Sequence, residues 1–521
     1  MATPIINHLS DIFSTSQIIQ DHETLQEQGL ALNGSIHPPV AIVFPESEQE
    51  LVALVKAANQ HQFEIHPVAQ GRNWGYGTSQ GTKANQVIVN LSRLNQTLEI
   101  NEAHAFVRVQ AGITQSELYQ ALQAANSNLQ LDVTAAGLHT SVVGNILERG
   151  FGHTDYSDRF GNVLSMRVLL PNGDIINTGM GMFDESIAAH LYPYGIGPVV
   201  NGLFSQSNLG IVLEMAIAVQ PKPEHQMTVM VLCKNDEDAP AMVSTIAKLK
   251  LDGVVTSGVH TVSMARALGD QAIKAPAAWV LTTSLAGPKG IVKARFKHFK
   301  KVISRSIPNS RVVMLNDFRW KILKKINTYL KNPMISSLQL IVDLKKGVPS
   351  DDAVKTLLDY RDAHSEMKTS EFPAYFRWIC AISSPTPDSI AKMIATCKTV
   401  FEKYGYEERY SMTNITGRAV VLIANIRYGK TPEEIEKAAA FYQEVDDALL
   451  GAGYCPYRSG SNLFEPITPY INQANRQFLA NLKQAMDPNN ILSPDKYWLS
   501  QPQSATSSTE ASHDSVDTEM V

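Results

Sequence analysis

Residues 71–77 read GRNWGYG, three glycines, an arginine, a tryptophan and a tyrosine crowded behind the apolar run FEIHPVAQ at 63–70. Glycine admits positive φ and lets a backbone come close to a ligand, so a strand that ends in such a loop is a seat for a phosphate-bearing cofactor. A glycine-rich surface turn between strands is the competing reading. The two aromatic rings kept in so tight a bend call for an explanation of their own.

Outward from this loop, strand and helix signals alternate. VAIVF at 40–44 reads as a strand, Ser47 and Glu50 form a capping box ahead of LVALVKAAN, and FEIHPVA is the next strand, a βαβ start. QVIVNLS and AFVRVQAG read as further strands, and Thr114 with Glu117 caps the helix LYQALQAAN. The first ~125 residues are therefore α+β or α/β. VLSMRVLLPNGDIINTG at 163–179 predicts two apolar strands joined at Asn172-Gly173 by a type I′ turn, with both central residues at positive φ. PKPEH at 221–225 breaks the pattern and marks a domain boundary; beyond it come longer helices such as TPEEIEKAAAFYQEVDDALL, interspersed with strands such as LQLIVDL at 338–344. The final stretch QPQSATSSTEASHDSVDTEMV is polar, acidic and free of aromatics, and is expected to be disordered.

Length and composition narrow the function class. A chain of 521 residues predicts two to four lobes, or two large ones, and 44% hydrophobic with 18% charged residues is ordinary for an enzyme. A formal charge of −5 provides no basic face, so nucleic acid is not an expected partner. Cys233, Cys380, Cys397 and Cys455 are too far apart for a CxxC pair and too few for a disulfide scaffold, which fits a reducing compartment. No basic-then-apolar segment opens the chain and no run approaches the ~18 apolar residues of a membrane span, so the expectation is a cytoplasmic protein without a membrane partner.

Several familiar motifs are missing. No GxGxxG stands between a strand and a helix, and GKT at 429–431 lacks the earlier glycine of a phosphate loop, where Ala424 stands. The fourteen histidines make no HExxH or comparable ligand spacing, so no metal is assigned; His61 and His66 flank a strand and read as ordinary surface or edge residues. No nucleophile elbow is assigned.

Six segments in order carry a resemblance: GRNWGYG at 71, SVVGNILERGFGHTDY at 141, LPNGDIINTGMG at 170, YPYGIGPVVNGLFSQSNLGIV at 192, PYRSGSNLF at 456 and DPNNILSPDKYW at 487. Together they resemble the vanillyl-alcohol oxidase, 4-cresol dehydrogenase and eugenol oxidase branch of the PCMH-type FAD-binding flavoproteins, over about residues 38–220 and 450–498. The resemblance implies an α+β, two-domain fold: an FAD-binding domain over 1–220, a cap or substrate domain over 221–455, and a return to the first domain over 456–498, ahead of the tail at 499–521. It implies FAD held by Gln70, Gly71, Arg72 and Asn73, by Ala136, Gly137, Thr140, Ser141, Gly144 and Asn145, and by Gly210 and Ile211.

The same resemblance places Tyr76, Tyr457 and Arg458 on the oxygen of a para-substituted phenol, with Arg458 the one cation there. The expected reaction is hydride transfer from the benzylic carbon to the flavin through a quinone methide, with oxygen or an electron-carrier protein as final acceptor. A phenolate is the better hydride donor. Ionising a phenol of pKa ~10 at pH 7 costs about 4 kcal/mol, and three donors at roughly 1.5–3 kcal/mol each offset it.

Two departures qualify this picture. Gly417 and Arg418 stand where relatives with covalent FAD carry a histidine in the cap, and Trp74 occupies the other attachment position, so the FAD is expected to be non-covalent. Ala136 stands where oxidases of this branch place an aspartate beside the flavin, which leaves His139 and His153 as candidates for proton transfer. The alternatives are a flavoenzyme that oxidises or desaturates a larger phenolic or non-phenolic intermediate, and a catalytically idle binding protein of the same fold. A homodimer is compatible with all of them.

Overall fold

Ser47 and Glu50 close the predicted capping box, so the helix Glu48–His61 starts where the sequence sets it. Its Leu51, Leu54, Val55 and Ala58 bury one stripe in a cluster with Ala41, Val43, Ile65, Val87 and Val89. The structure, a computed structural model, describes residues 2–268, 277–330, 333–352, 354–355, 360, 362–460 and 466–498; the tail expected to be disordered lies outside the described residues.

Among the described residues the chain forms three main sheets. Strands β1 (Ile18–Ile19), β2 (Ala41–Val43), β3 (Ile65–Val68) and β4 (Val87–Asn90) assemble in the order β1-β2-β4-β3, with β4 parallel to both β2 and β3. Then come β5 (Thr97–Asn101), β6 (Phe106–Gln110), β7 (Leu129–Gln130), β8 (Val163–Leu169), β9 (Ile175–Asn177), β10 (Ile211–Ala218) and β11 (Gln220–Pro221). Five of these make the antiparallel sheet β5-β6-β10-β8-β9, while β7 and β11 pair as a ribbon. One apolar cluster joins both sheets to the helices Glu48–His61 and Gln115–Ala124. The third sheet, antiparallel throughout, is built from β12 (His225–Cys233), β13 (Val259–Ser263), β14 (Trp279–Gly287), β15 (Arg311–Asn316), β16 (Ile379–Ser383), β17 (Tyr410–Asn414) and β18 (Val420–Ala424), in the order β15-β12-β14-β13-β17-β18-β16. It has its own core.

The period of two along the third sheet positions the site. Leu281 of β14, Met412 of β17 and Leu422 of β18 point into the core shared with the helices Asp238–Leu251, Pro387–Tyr404 and Pro432–Gly451. Their alternates, His260 and Val262 on β13, Val280 and Thr282 on β14, Ser411 and Thr413 on β17 and Ile423 on β18, line a cavity on the opposite face.

The C-terminal segment pairs with the first sheet. Ile65 of β3 donates to the Ile491 carbonyl at 2.8 Å and accepts from the Ser493 amide at 2.9 Å. A fully buried pair, Lys483 to Asp487 at 2.6 Å, anchors this return. Lys483 Nζ also donates to the carbonyls of Asn208 and Leu492, and Asp487 accepts from the amides of Ile491 and Leu492. No helix among the described residues is long and apolar enough to cross a membrane.

Three sequence expectations are corrected. The β8–β9 hairpin forms, but the turn is not type I′: Gly173 has φ 91° and Asn172 is not at positive φ. The Gly173 amide donates to the Leu170 carbonyl, so the turn begins one residue earlier, with Pro171 presetting its first central position and Gly173 in the bulge that follows. LQLIVDL is not a strand; it ends the helix Pro333–Lys345. Its near-alternating apolar residues mimic a strand because Leu340, Ile341 and Leu344 face the cavity while Val342 is buried as well. His66 is no surface residue: it lies buried in β3 against Ser493 Oγ at 3.0 Å, and burial drives its pKa down to about 3.

Candidate active site

A cavity of about 740 Å³ runs between the cap sheet and the first domain. One wall is the quoted loop. Gly71 at φ 63° and Gly75 at φ 73° carry the bend, and a Cβ on Gly75 would sit 2.6 Å from Trp378 Cδ1. Trp378 of the cap donates from Nε1 to the Trp74 carbonyl at 2.9 Å, and Trp74 is buried edge-on against Phe372 at 5.7 Å. One of the two rings thus joins the glycine loop to the cap.

Of the residues the sequence assigned to FAD, Gln70, Gly71, Arg72, Asn73, Ala136, Thr140, Ser141, Gly144, Asn145, Gly210 and Ile211 line this cavity. Gly137 does not; at φ 91° it turns the chain beneath Val354 and Ser365. Arg72 Nε and Thr78 Oγ1 are buried on the same wall with no hydrogen-bond partner, an arrangement that suits the diphosphate and polar edge of FAD. The residues present fit the cofactor.

The second ring of the loop, Tyr76, meets Tyr457 and Arg458 across the cavity. Arg458 stacks its guanidinium 3.9 Å from the Tyr76 ring centroid and donates to Asn73 Oδ1. Tyr76 OH lies 2.6 Å from Cys380 Sγ, and Tyr457 hydrogen-bonds toward Tyr76 and Arg458. Burial raises the Tyr76 pKa well above the ordinary value and that of Tyr457 to about 12, so both hydroxyls remain protonated donors. Burial works against the Arg458 cation, but Tyr457, Tyr76 and Glu148 outweigh it and its pKa rises.

Arg458 is not the sole cation. Glu148 lies 4.0 Å from Arg458 and 3.3 Å from Lys496, and accepts from Tyr497 OH. Burial opposes the Glu148 carboxylate, yet Lys496 and Arg458 hold its pKa below the usual range. Glu148, Lys496 and Tyr497 stand inside two of the quoted motifs, but nothing local ties residue 148 to residue 496; only the C-terminal return brings them together.

The two candidate histidines part company. His153 lines the cavity and stacks on His260 at 4.1 Å, where burial keeps both well below the ordinary imidazole pKa and therefore neutral. His260 shares a hydrogen bond between Nδ1 and Thr413 Oγ1 at 3.3 Å. No local pattern points to His260, whose place in the cavity depends on the register of the third sheet. His139 faces away from the cavity, 2.9 Å from Ser365 Oγ and 3.5 Å from Glu366. Gly417 and Arg418 do not line the cavity either; Gly417 sits against Leu251 on the helical side of the cap sheet. GTSQG at 77–81 does match the GxSxG spacing, but Ser79 Oγ donates to the Gln28 carbonyl and no helix follows it, so it is a turn serine.

Residues 39–179 match the FAD binding domain family, and residues 345–497 match the C-terminal domain of the FAD linked oxidases. The chain is 28% identical over 524 residues to a 1'-carboxy-chondrochloren decarboxylase of Chondromyces crocatus, covering 94% of this chain and 95% of that one. It is 25% identical over 482 residues to the flavoprotein subunit of 4-cresol dehydrogenase (hydroxylating) of Pseudomonas putida, covering 90% and 89%. Its fold superposes on a 4-ethylphenol oxidase from Gulosibacter chungangensis in complex with isoeugenol, with a TM-score of 0.85 at 24% identity over 96% of this chain and 98% of that one. It also superposes on a substrate-bound p-cresol methylhydroxylase, with a TM-score of 0.86 at 23% identity over 96% of each chain.

Proposed function

This chain belongs to the PCMH-type FAD-linked oxidoreductases, and from that premise we propose that it oxidises a para-substituted phenol at the benzylic carbon. The observation that carries the reading is the meeting of Tyr76, Tyr457 and Arg458 at one end of the cavity.

Bound FAD supplies the acceptor for a hydride. Gln70 to Asn73, Ala136, Thr140, Ser141, Gly144, Asn145, Gly210 and Ile211 would hold it. The tyrosine hydroxyls donate to the phenol oxygen, and Arg458 with Lys496 outnumbers Glu148 by one charge, which a phenolate would neutralise. Ionised there, the phenol pushes electrons through its ring as the benzylic hydride departs, and the substrate becomes a quinone methide. His153 and His260, neutral and in the cavity wall, would relay a proton rather than hold it, because burial weakens both as bases, where other enzymes of this kind use a carboxylate, a position held here by Ala136. Oxygen or an electron-carrier protein would complete the cycle, and the FAD would be held without a covalent bond.

Anaerobic flavin bleaching by a para-alkyl phenol, compared with its O-methyl ether, tests the proposal. The phenol should bleach the flavin and the ether should not; equal rates would overturn phenolate activation. A second reading is favoured by the decarboxylase relative, which aligns over nearly the whole chain: oxidation of a larger phenolic intermediate, in which the electron pair of a departing carboxylate refills the quinone methide and leaves a carbon–carbon double bond and carbon dioxide. Carbon dioxide released in step with flavin bleaching would identify it.

A further inference from the structure

Arg266 stands in the cavity wall on the short helix Met264–Leu268, and the phenol reading leaves it without a task. Its Nη1 donates to Asn425 Oδ1 at 2.9 Å and to the Arg409 carbonyl at 3.3 Å, and its guanidinium lies 5.3 Å from the Trp378 ring centroid. Both acceptors are neutral. Among the described residues no carboxylate lies within ion-pair distance of Arg266, whereas neighbouring Arg409 is paired with Glu407 at 2.6 Å. The other edge of the guanidinium, Nε and Nη2, donates to nothing among the described residues and is not sealed from the cavity. The Asn425 amide nitrogen likewise has no acceptor there, and it lines the cavity beside Arg266.

A guanidinium whose Nε–Nη2 edge is open matches the two oxygens of a carboxylate, and Trp378 on one face with Asn425 on Nη1 fixes the plane in which that edge is presented. A half-buried cation without a protein counter-ion is costly to keep. Desolvation by burial, and after it the charges of Arg409 and Arg427, lowers its pKa to about 10 against the opposing pull of Cys380, which still leaves it charged at neutral pH. The missing counter-ion is therefore sought in the ligand.

We propose that Arg266 and the Asn425 amide form a carboxylate-binding subsite of the substrate cavity, and that the substrate carries a carboxylate in addition to its phenol. The proposal deepens the phenol reading and rests on it only for the position of the ring; the anion edge stands independently.

The test uses the purified flavoenzyme and ligands that bind without reacting, because they have no saturated benzylic carbon: 4-hydroxycinnamate, its methyl ester, cinnamate and methyl cinnamate. Dissociation constants are read from the perturbation of the flavin spectrum. The wild type should bind 4-hydroxycinnamate about thirtyfold or more tighter than its methyl ester, and Arg266→Met should erase that preference while changing ester affinity by less than about threefold. Asn425→Leu should narrow the preference in the same direction. Acid and ester binding alike in the wild type, or Arg266→Met weakening both equally, would overturn the subsite. If Arg266→Met fails to fold or to take up flavin, the wild-type comparison of acid with ester decides alone. Cinnamate separates the two ideas: an Arg266-dependent preference for cinnamate over methyl cinnamate, with no gain from the 4-hydroxyl, would sink the phenol reading and leave the carboxylate subsite standing.

Discussion

Arg458 sets its guanidinium carbon over Tyr76, 3.9 Å from the ring centroid, although 381 intervening positions separate the two residues in the chain. The contact binds the glycine loop of the first domain to the C-terminal return and turns a cation toward the cavity. Arg458→Ala should slow reduction of the flavin by a para-alkyl phenol about a hundredfold or more, because a phenolate formed there would lose its closest positive charge in a dry site. Tyr76→Phe keeps the ring under the guanidinium and removes one donor, so its loss should be nearer tenfold. Anaerobic stopped-flow traces of the two variants check the order of these effects.

Flavin attachment can be read on a gel. Gly417 lies on the helical side of the third sheet, Arg418 does not line the cavity, and Trp74 has no nucleophile to offer. Acid precipitation should therefore leave all of the FAD in the supernatant; a fluorescent protein band after denaturing electrophoresis would contradict a non-covalent cofactor.

Lys483 and Asp487 form a fully buried pair that pins the C-terminal return. Lys483→Met strands a buried carboxylate and should cost about 3–5 kcal/mol of stability. Adding Asp487→Leu should recover only part of that loss, since it removes the stranded charge but leaves the amides of Ile491 and Leu492 without their acceptor. Chemical denaturation midpoints of the single and double variants measure it.

Lys345 is fully buried, donating from Nζ to the Gly258 carbonyl at 2.6 Å. Burial first, and then Lys250, lowers its pKa to about 7, against the opposing pull of Asp132 and Asp155. Between pH 7 and the ordinary lysine value of about 10.5 the unfolded chain binds this proton and the folded one does not, so stability rises with pH across that window. Below pH 7 both states are protonated and the burial penalty is present in full. Wild type should therefore gain on Lys345→Met, by a few kcal/mol, as pH is raised from 6 to 10; denaturation curves that keep a constant gap would contradict the assignment.

Local signals were legible wherever neighbours in sequence settle the structure. The capping boxes at Ser47 and Thr114 need only residues three positions apart, and both form as read. The glycine loop was visible because backbone approach depends on residue type, whatever lies across the cavity, and the FAD-assigned wall because its motifs resemble those of a known family. Where two elements compete for one pattern, local reading failed: LQLIVDL became a helix because it is covered on more than one face, and Pro171 moved the hairpin turn that Asn172-Gly173 alone would have set.

Tertiary structure decided the charges. Glu148 and Lys496 are 3.3 Å apart but 348 positions apart, so their neutralisation is invisible in either motif. His260 faces the cavity because of its register in β13, since a shift of one residue would have turned it into the helical core. Arg266 owes its open edge to what the fold leaves out of reach, with Asn425 and the Arg409 carbonyl as neutral partners. Composition and motif determine which groups the chain can offer. Whether a charge is paired, neutralised or left for a ligand depends on distances of a few ångströms between distant segments, and only packing of the cap against the first domain sets those distances.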